Sequence, residues 1–296
     1  MRANWELPEA GARAGSDDLR AAETLCHRLV RRAATNFYWG FITLPREQRV
    51  AIYALYAFSR EVDDEADGAG PSRLAERLER HRERVRRCVR GEYADPVMQV
   101  LAHAVRRFAI PESELQALID GVEMDSYRTR YQTWEELREY CHLVASVVGR
   151  MCVRIFGFRD PVVFERADEL GLAMQLTNCL RDVREDAQMG RIYLPQDDLA
   201  RFGVGEHEIM SGRPGRGWPL LVRFEAERAR ALFASGLRVA AYVPRRPAVC
   251  VRTMAGIYEG ILARIQGDPE LPFRQRASLS STQKLRVAFQ SWLRFA

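Results

Sequence analysis

The chain carries at residues 47–67 the sequence Glu-Gln-Arg-Val-Ala-Ile-Tyr-Ala-Leu-Tyr-Ala-Phe-Ser-Arg-Glu-Val-Asp-Asp-Glu-Ala-Asp. Apolar side chains recur around the whole circumference of a helix here, which is typical of a helix at the centre of a bundle. Asp63 and Asp67 lie four residues apart, so a helix would place both carboxylates on one face. Because a polar line on a buried helix is costly without partners, we expect this face to line a cavity.

A second stretch repeats this spacing. Residues 175–186 read Gln-Leu-Thr-Asn-Cys-Leu-Arg-Asp-Val-Arg-Glu-Asp, with Asn178, Asp182 and Asp186 at intervals of four. Carboxylates held so close repel each other unless a cation lies between them, and carboxylate and amide oxygens bind divalent metals. Either motif alone could be surface acids paired with neighbouring arginines. The two motifs together, both on apolar helices, favour a site for Mg²⁺ ions that also hold phosphate oxygens.

Helical periodicity extends along most of the chain, and alternating strand patterns are essentially absent. Pro and Gly clusters separate the helical segments, and we find no internal repeat and no long linker. The sequence therefore predicts an all-α, single-domain helical bundle around a central cavity at 19–296, after a loose N-terminal arm at 1–18. The predicted helices are Asp18–Phe41, Glu47–Asp67, Arg73–Arg90, Pro96–Phe108, Ser113–Asp125, Trp134–Phe156, Pro161–Gln188, Gly217–Tyr242, Val249–Gln266 and Thr282–Phe295.

The composition is that of an ordinary globular protein, with 47% hydrophobic and 29% charged residues. Lys and Arg total 45 against 40 Asp and Glu, a net charge of +5. Many arginines alternate with glutamates, as on a solvated, ion-paired helix face. Without zinc spacing or an aromatic RNA motif, we expect no nucleic-acid partner. The positive charge suits an acidic, phosphate-bearing substrate.

The cysteines and the hydropathy indicate the compartment. The six cysteines are scattered without a Cys-x-x-Cys pair, so we expect free thiols in a reducing environment. No segment has about 18 uninterrupted apolar residues, and the N-terminus lacks a signal-peptide core. We therefore predict a cytoplasmic protein, with peripheral contact at the inner membrane face left open.

Three further segments each have two interpretations. The run Tyr140–Gly149 offers small residues and a valine wall, which fits core packing better than a substrate pocket. Arg191 could hold a diphosphate or be an ordinary loop residue. The amphipathic C-terminal run could lie on a membrane, but we prefer a helix that closes the bundle because apolar faces normally pack inward. Its apolar residues are Leu285, Ala288, Phe289, Trp292 and Leu293, beside Lys284, Arg286 and Arg294.

These segments resemble the squalene/phytoene synthase family over about residues 25–284. The resemblance is carried by Asn36-Phe37-Tyr38, Leu44-Pro45, Ala54–Asp67, Tyr140–Gly149 and Gln175–Leu194. It implies an all-α isoprenoid synthase, a prenyltransferase that joins two prenyl diphosphates head to head. It also implies neighbouring isoprenoid-pathway enzymes as partners.

The resemblance also implies roles for individual residues. Two or three Mg²⁺ ions would be held by Asp63, Asp67, Asn178, Asp182 and Asp186. Diphosphate oxygens would be bound by Arg60, Arg181, Arg191, Arg276 and Asn36, although relatives often carry Ser at the last position. The carbocation would be faced by Tyr140, Tyr258 and Gln175. The prenyl chains would be shielded from water by Phe37, Phe41, Val144, Val148 and Leu172.

The product is the least constrained part of this prediction. Residues 35–41 and 151–157 look closest to bacterial presqualene diphosphate synthases of hopanoid-type pathways, so we expect two farnesyl diphosphates to give presqualene diphosphate, or squalene or a related C30 product. The alternative is a phytoene synthase that couples two geranylgeranyl diphosphates. Use of NADPH stays open. A terpene cyclase is disfavoured, because it normally places Ser or Thr and then Glu where this chain has Asp182 and Asp186. A head-to-tail elongase and a non-catalytic lipid-binding subunit are the remaining alternatives.

Overall fold

The computed structural model of the protein describes residues 16–34, 36–66 and 71–294. Apart from one isolated β-bridge between Arg130 and Ile192, these residues form only helices, turns and loops. The prediction of an all-α fold is therefore confirmed. Most of the expected N-terminal arm and Asp67 lie outside the described residues.

The first half of the chain folds into α1 to α8, with a π-helical turn at His142–Ser146 between the last two. Their bounds are α1 Ser16–Ala33, α2 Tyr38–Phe41, α3 Arg46–Ala66, α4 Pro71–Val89, α5 Pro96–Phe108, α6 Glu112–Met124, α7 Trp134–Cys141 and α8 Val147–Phe156.

The second half folds into α9 to α16, with a 3-10 segment at Leu237–Ala241 after α13. Their bounds are α9 Val163–Arg181, α10 Val183–Gln188, α11 Gln196–Arg201, α12 Glu206–Met210, α13 Trp218–Gly236, α14 Arg245–Gly267, α15 Leu271–Arg274 and α16 Ser281–Leu293.

Helix α3 lies at the centre of the first half of the bundle. It packs against α1, α4, α5, α6 and α8. Its side chains are buried around most of the circumference, including Ile52, Leu55, Phe58 and Val62. Helix α3 is apolar around most of its circumference because neighbouring helices cover it on several sides, as the sequence predicted.

Helix α9 is the axis of the second half, and it packs against α8, α13, α14 and the π-helical turn. Two glycines allow the closest of these approaches. A Cβ on Gly171 would lie 2.7 Å from the Cα of Ser146, and a Cβ on Gly236 would lie 2.5 Å from the backbone nitrogen of Leu170. Any larger residue would push the helices apart, so these glycines set the position of α9.

The predicted helix Pro161–Gln188 is interrupted at Asp182. Asp182 has φ −101° and ψ 11°, which ends α9 and starts α10. Hydrogen bonds from the Asp182 nitrogen to the Asn178 oxygen and from the Asp186 nitrogen to the Asp182 oxygen still run across the break. Asn178, Asp182 and Asp186 therefore still lie one helical turn apart, as the spacing of four predicted. At the break, the Asp182 carboxylate accepts hydrogen bonds from the adjacent Arg181 and from Arg276, which is distant in the chain.

Other predicted boundaries also need correction. The predicted helix Asp18–Phe41 is divided into α1 and α2, and Trp134–Phe156 contains the π-helical turn. The sequence patterns did not predict the short helices α11, α12 and α15. Such short elements carry too little apolar periodicity to be recognised without their tertiary contacts.

The C-terminal helix packs against the bundle, as we preferred, but its large apolar side chains point outward. Helix α16 packs against α14 and α2, but the side chains that it buries are those of Lys284 and Ser291, with Val287 half-buried. Of the apolar residues predicted to face inward, Ala288 is half-buried, and the others, Leu285, Phe289, Trp292 and Leu293, are exposed. Within the described residues, no helix combines the length and apolarity that crossing a membrane requires.

Candidate active site

A cavity of about 290 Å³ lies where α3, α6, α7, α9 and α10 meet. Asp63 reaches it from α3, whereas Asp182 and Asp186 reach it from the break between α9 and α10. The two acidic segments found in the sequence therefore meet in one space. The lining residues are Arg60, Asp63, Val122, Asp125, Tyr140, Val144, Gln175, Asn178, Cys179, Arg181, Asp182, Asp186, Arg191, Tyr193 and Arg276.

Two guanidinium groups bind the carboxylate of Asp182. Arg181 donates from Nε at 2.8 Å and from Nη2 at 2.5 Å, and Arg276 donates from Nε at 2.8 Å and from Nη2 at 3.1 Å. Burial alone would raise the pKa of Asp182, but these bonds hold it below its ordinary value. Asp182 is therefore ionised at neutral pH.

The Asp186 carboxyl has the opposite character. Burial, together with the negative charges of Asp182 and Asp125, raises its pKa to about 8, and the positive charge of Arg191 only partly opposes this. At neutral pH this carboxyl holds a proton in the ligand-free protein. A cation in the cavity would replace that proton.

Asn178 adds an oxygen that lacks a partner. Its amide nitrogen donates to Oε1 of Gln175 at 3.0 Å, which leaves Oδ1 buried without a hydrogen bond. A buried polar atom without a partner is costly, and a metal ion would satisfy it. The described residues do not bring three metal-binding side chains together in one cluster. The oxygen donors nevertheless fit a divalent cation that prefers carboxylate and amide ligands.

Four arginines line the cavity, and all four were predicted. Arg60 pairs with Asp64 at 2.6 Å and is half-exposed. Arg276 is also exposed to solvent, although its guanidinium binds Asp182. Arg191 donates from Nη2 to the backbone oxygen of Asp125 at 3.2 Å. Four guanidinium groups around one small space make a site for a ligand with several negative charges.

Sequence reasoning missed Asp125 and Tyr193. The Tyr193 hydroxyl donates to Oδ1 of Asp125 at 2.8 Å, and the Tyr140 hydroxyl donates to Oδ2 at 3.3 Å. The two rings stack, with centroids 5.0 Å apart. Burial raises the pKa of both phenols well above the ordinary value, so both hydroxyls stay neutral. No sequence pattern marked Asp125 as a site residue, because no second acid lies four residues before or after it.

The run that begins at Tyr140 does more than pack the core. Tyr140 and Val144 line the cavity, whereas Val148 is half-buried on α8 and is not among the lining residues. Leu172 is buried on α9 and likewise does not line the cavity. The π-helical turn lies within this run, and such turns are frequent at functional sites.

The predicted aromatic residues form a cluster beside the cavity. The Phe37 ring lies 6.0 Å from that of Phe41, 6.1 Å from that of Tyr56 and 5.6 Å from that of Tyr258. Tyr258 also lies close enough to Arg181 to interact with its guanidinium, which connects the cluster to the lining. Asn36, adjacent in the chain, has a buried Oδ1 without a hydrogen bond among the described residues. Asp67 lies outside the described residues.

Residues 30–283 match the family model of squalene/phytoene synthases. The chain belongs to the squalene/phytoene synthase family. It is accordingly a prenyltransferase, as the resemblance predicted, and the family supports head-to-head condensation of prenyl diphosphates.

Similar proteins extend over almost the whole chain. A phytoene synthase from Mycobacterium tuberculosis is 39% identical over 275 residues, which cover 92% of this chain and 90% of that protein. A crystal structure of squalene synthase HpnC from Alicyclobacillus acidocaldarius is 34% identical with a TM-score of 0.79, covering 86% of this chain and 96% of that one. A dehydrosqualene synthase solved with a ligand is 26% identical with a TM-score of 0.83, covering 95% and 99%.

Proposed function

We propose that the protein couples two geranylgeranyl diphosphates head to head to give phytoene, with release of diphosphate. The observation that carries this proposal is the 39% identity to a phytoene synthase over 92% of the chain. A 15-cis-phytoene synthase from Synechocystis, 34% identical over 286 residues, also supports it. These relatives support the alternative of the sequence analysis better than its first choice, the coupling of farnesyl diphosphates.

Coupling of two farnesyl diphosphates is the second candidate. The likeness to squalene synthase HpnC, at 34% identity, and to a dehydrosqualene synthase favours it. The two candidates use the same diphosphate chemistry and differ in the length of the prenyl chain. We therefore expect the length of the apolar space that holds the prenyl chains to decide between them, whereas the polar cavity would serve both.

The polar cavity would bind the diphosphate groups. Arg60, Arg191 and Arg276 reach it from three separate segments of the chain, and guanidinium groups bind phosphate oxygens through two parallel hydrogen bonds. Arg276 also bonds Asp182, so an arriving diphosphate would compete for its donors. The residues that would hold divalent cations are Asp63, Asp67, Asn178, Asp182 and Asp186. When bound, Mg²⁺ ions supply Lewis-acid neutralisation of the negative charge that develops on the departing diphosphate.

The neutral phenols would protect the reacting carbons. An allylic carbocation is captured by water or by a nucleophilic anion in contact with it, so the groups that touch it should be apolar or neutral. Tyr140 presents a hydroxyl whose oxygen can face positive charge without acting as an anionic nucleophile, because burial keeps it protonated. Val144 adds an apolar wall to the lining, and Phe37, Phe41 and Tyr258 would exclude water beside it. We also propose that Val148 and Leu172 shield the prenyl chains from water and that Gln175 faces the carbocation.

Incubation of the purified protein with each diphosphate and Mg²⁺, followed by mass spectrometry of the lipid extract, tests the proposal. We expect a C40 hydrocarbon from geranylgeranyl diphosphate alone, with no requirement for NADPH. A C30 product from farnesyl diphosphate, with no C40 product, would support the second candidate instead. A cyclised hydrocarbon, or a requirement for isopentenyl diphosphate, would contradict both.

A further inference from the structure

Helix α16 exposes an apolar face. Four large apolar side chains on this helix are between 51% and 58% exposed. They recur at intervals of four, three and one, which places them on one side of the helix. We call this set the α16 face, and it consists of Leu285, Phe289, Trp292 and Leu293. Neighbouring exposed large apolar residues mark an interaction surface rather than an ordinary solvated helix.

The packing of α16 fixes this orientation. A Cβ on Gly256 of α14 would lie 2.8 Å from Cγ1 of Val287, so the two helices are in close contact. The first turn is held by a capping box, in which Ser280 and Gln283 bond each other's backbone nitrogens. The helix therefore cannot turn its apolar side inward without losing these contacts.

The charges beside the α16 face are positive. After Glu270 the chain contains no Asp or Glu, and α16 carries the exposed Arg286 while Arg294 follows directly after it. The positive charge of Arg294 partly opposes the rise that burial causes in the pKa of Glu259 on α14. Apolar side chains beside exposed arginines, in an acid-free segment, match a partner that is apolar inside and anionic at its surface.

We propose that the α16 face docks the enzyme on the surface of an anionic phospholipid bilayer. Leu285, Phe289, Trp292 and Leu293 would enter the boundary between headgroups and acyl chains, as the apolar side of an interfacial helix does. Arg286 and Arg294 would lie among the phosphates, where each cation adds electrostatic attraction. Trp292 suits this depth, because tryptophan is enriched at the membrane–water interface.

A second copy of this chain fits the α16 face less well. A two-fold dimer places the same patch of both subunits in contact. It would bring Arg286 and Arg294 of one copy close to those of the other, without acids on the helix to neutralise them. Like charges at an interface disfavour association, whereas a bilayer with anionic lipids favours it.

The docking inference goes beyond the proposed function and does not depend on which prenyl chain is used. Helix α16 packs against α2, which carries Phe41 of the aromatic cluster. Docking would thus hold the aromatic cluster near the lipid, in which a hydrocarbon product is soluble. Membrane binding can be measured without substrate, so failure of one proposal leaves the other standing.

Flotation of the full chain with lipid vesicles tests the inference. We expect the protein to float with vesicles of phosphatidylcholine and phosphatidylglycerol, and at least tenfold less with phosphatidylcholine alone. The double variants Phe289→Ser/Trp292→Ser and Arg286→Glu/Arg294→Glu should each reduce binding by roughly tenfold or more, because each removes the apolar or the electrostatic attraction. Circular dichroism and activity in detergent should match the parent protein, since these residues lie outside the cavity.

Matched substitutions on another exposed helix control for general surface effects. Leu220→Ser on α13 and Arg216→Glu just before it remove an exposed apolar residue and an exposed cation. We expect both variants to bind vesicles like the parent protein. The proposal is overturned if the parent protein does not float with anionic vesicles, or if the α16 variants bind as well as the controls. Sedimentation velocity that shows a dimer lost in the α16 variants, without vesicle binding, would also overturn it.

Discussion

Asn178 shows how a single residue carries the metal hypothesis. Its Oδ1 is buried without a hydrogen bond, and the residue lines a cavity that Asp182 and Asp186 also line. An unpartnered buried oxygen costs free energy in the ligand-free protein. A bound cation would satisfy this oxygen, so we propose that Asn178 favours the metal-loaded state.

We predict that Asn178→Ala raises the Mg²⁺ concentration required for half-maximal diphosphate release by about tenfold or more, because one oxygen ligand is lost. The measurement is a Mg²⁺ titration of initial rate at saturating prenyl diphosphate. Gln48→Ala is the matched control, since Gln48 also has a buried oxygen without a partner but does not line the cavity. An unchanged Mg²⁺ requirement in Asn178→Ala would remove this residue from the metal site.

Asp182 allows a second residue-scale prediction. Its carboxylate is ionised and is bound by Arg181 and Arg276, two of the arginines predicted to bind diphosphate, and we propose that it also binds a divalent cation. We expect Asp182→Asn to fold normally but to lose at least about 10²-fold in Mg²⁺-dependent diphosphate release. The exposed Asp197→Asn serves as control. A folded Asp182→Asn protein that retains most of its activity would refute the role.

At the scale of elements, the close crossing of α9 and the π-helical turn positions the second acidic segment. Gly171 lies within α9, seven residues before Asn178, and a Cβ there would meet the Ser146 backbone. Backbone atoms cannot move aside as a flexible side chain can. The helix would have to shift as a whole, and with it the residues that line the cavity.

We therefore predict that Gly171→Ala lowers the free energy of unfolding by about 1–3 kcal/mol, the usual cost of overpacking. Gly267→Ala at the end of α14 is the control, because a Cβ there meets nothing within 4 Å. Urea denaturation followed by circular dichroism measures both. Equal stability of the two variants would show that the α9 crossing has room to adjust.

A buried acid pair joins α11 and α13. Arg228 donates from Nη1 to Glu225 at 2.7 Å and to Asp198 at 2.9 Å, so one guanidinium is shared by two carboxyl groups. Burial, with the negative charge of Asp198, raises the pKa of Glu225 to about 8 against an ordinary value of 4.5, although Arg228 opposes this. One of the two acids thus keeps a proton in the folded state at neutral pH.

The sign of the resulting pH dependence follows from this pKa. Between about pH 4.5 and pH 8 the unfolded chain has released the Glu225 proton while the folded chain keeps it. The Glu225 contribution to stability is therefore present at low pH and is lost as the pH rises through this window. We expect the melting temperature of Glu225→Gln to fall less between pH 6 and about pH 9 than that of the parent protein. Glu227→Gln, an exposed neighbour on α13, should follow the parent; identical pH profiles for all three proteins would contradict this assignment.

At the scale of the whole molecule, most of the fold and the two acidic segments of the site follow from periodicity, whereas Arg276 was predicted only from the family resemblance. The buried α3 and the two acidic segments were predictable because their patterns are local and repeat at the helical spacing. Asp125 and Tyr193 were not, since each stands alone in the sequence and gains meaning only through a contact made by folding. The break at Asp182 and the outward face of α16 depend in the same way on neighbours distant in the chain.

The central claim is that acids on α3 and on the α9–α10 segment hold divalent cations in one cavity. Crystals grown with Mn²⁺ and a non-hydrolysable thiodiphosphate analogue of the substrate test it most directly, because manganese is located by its anomalous scattering. We expect manganese peaks bridging the diphosphate to Asp63 on one side and to Asp182 or Asp186 on the other, at about 2.0–2.2 Å from their oxygens, as for a hard cation of this size. Diphosphate bound without manganese at these carboxylates, or manganese bound only outside the cavity, would contradict the claim.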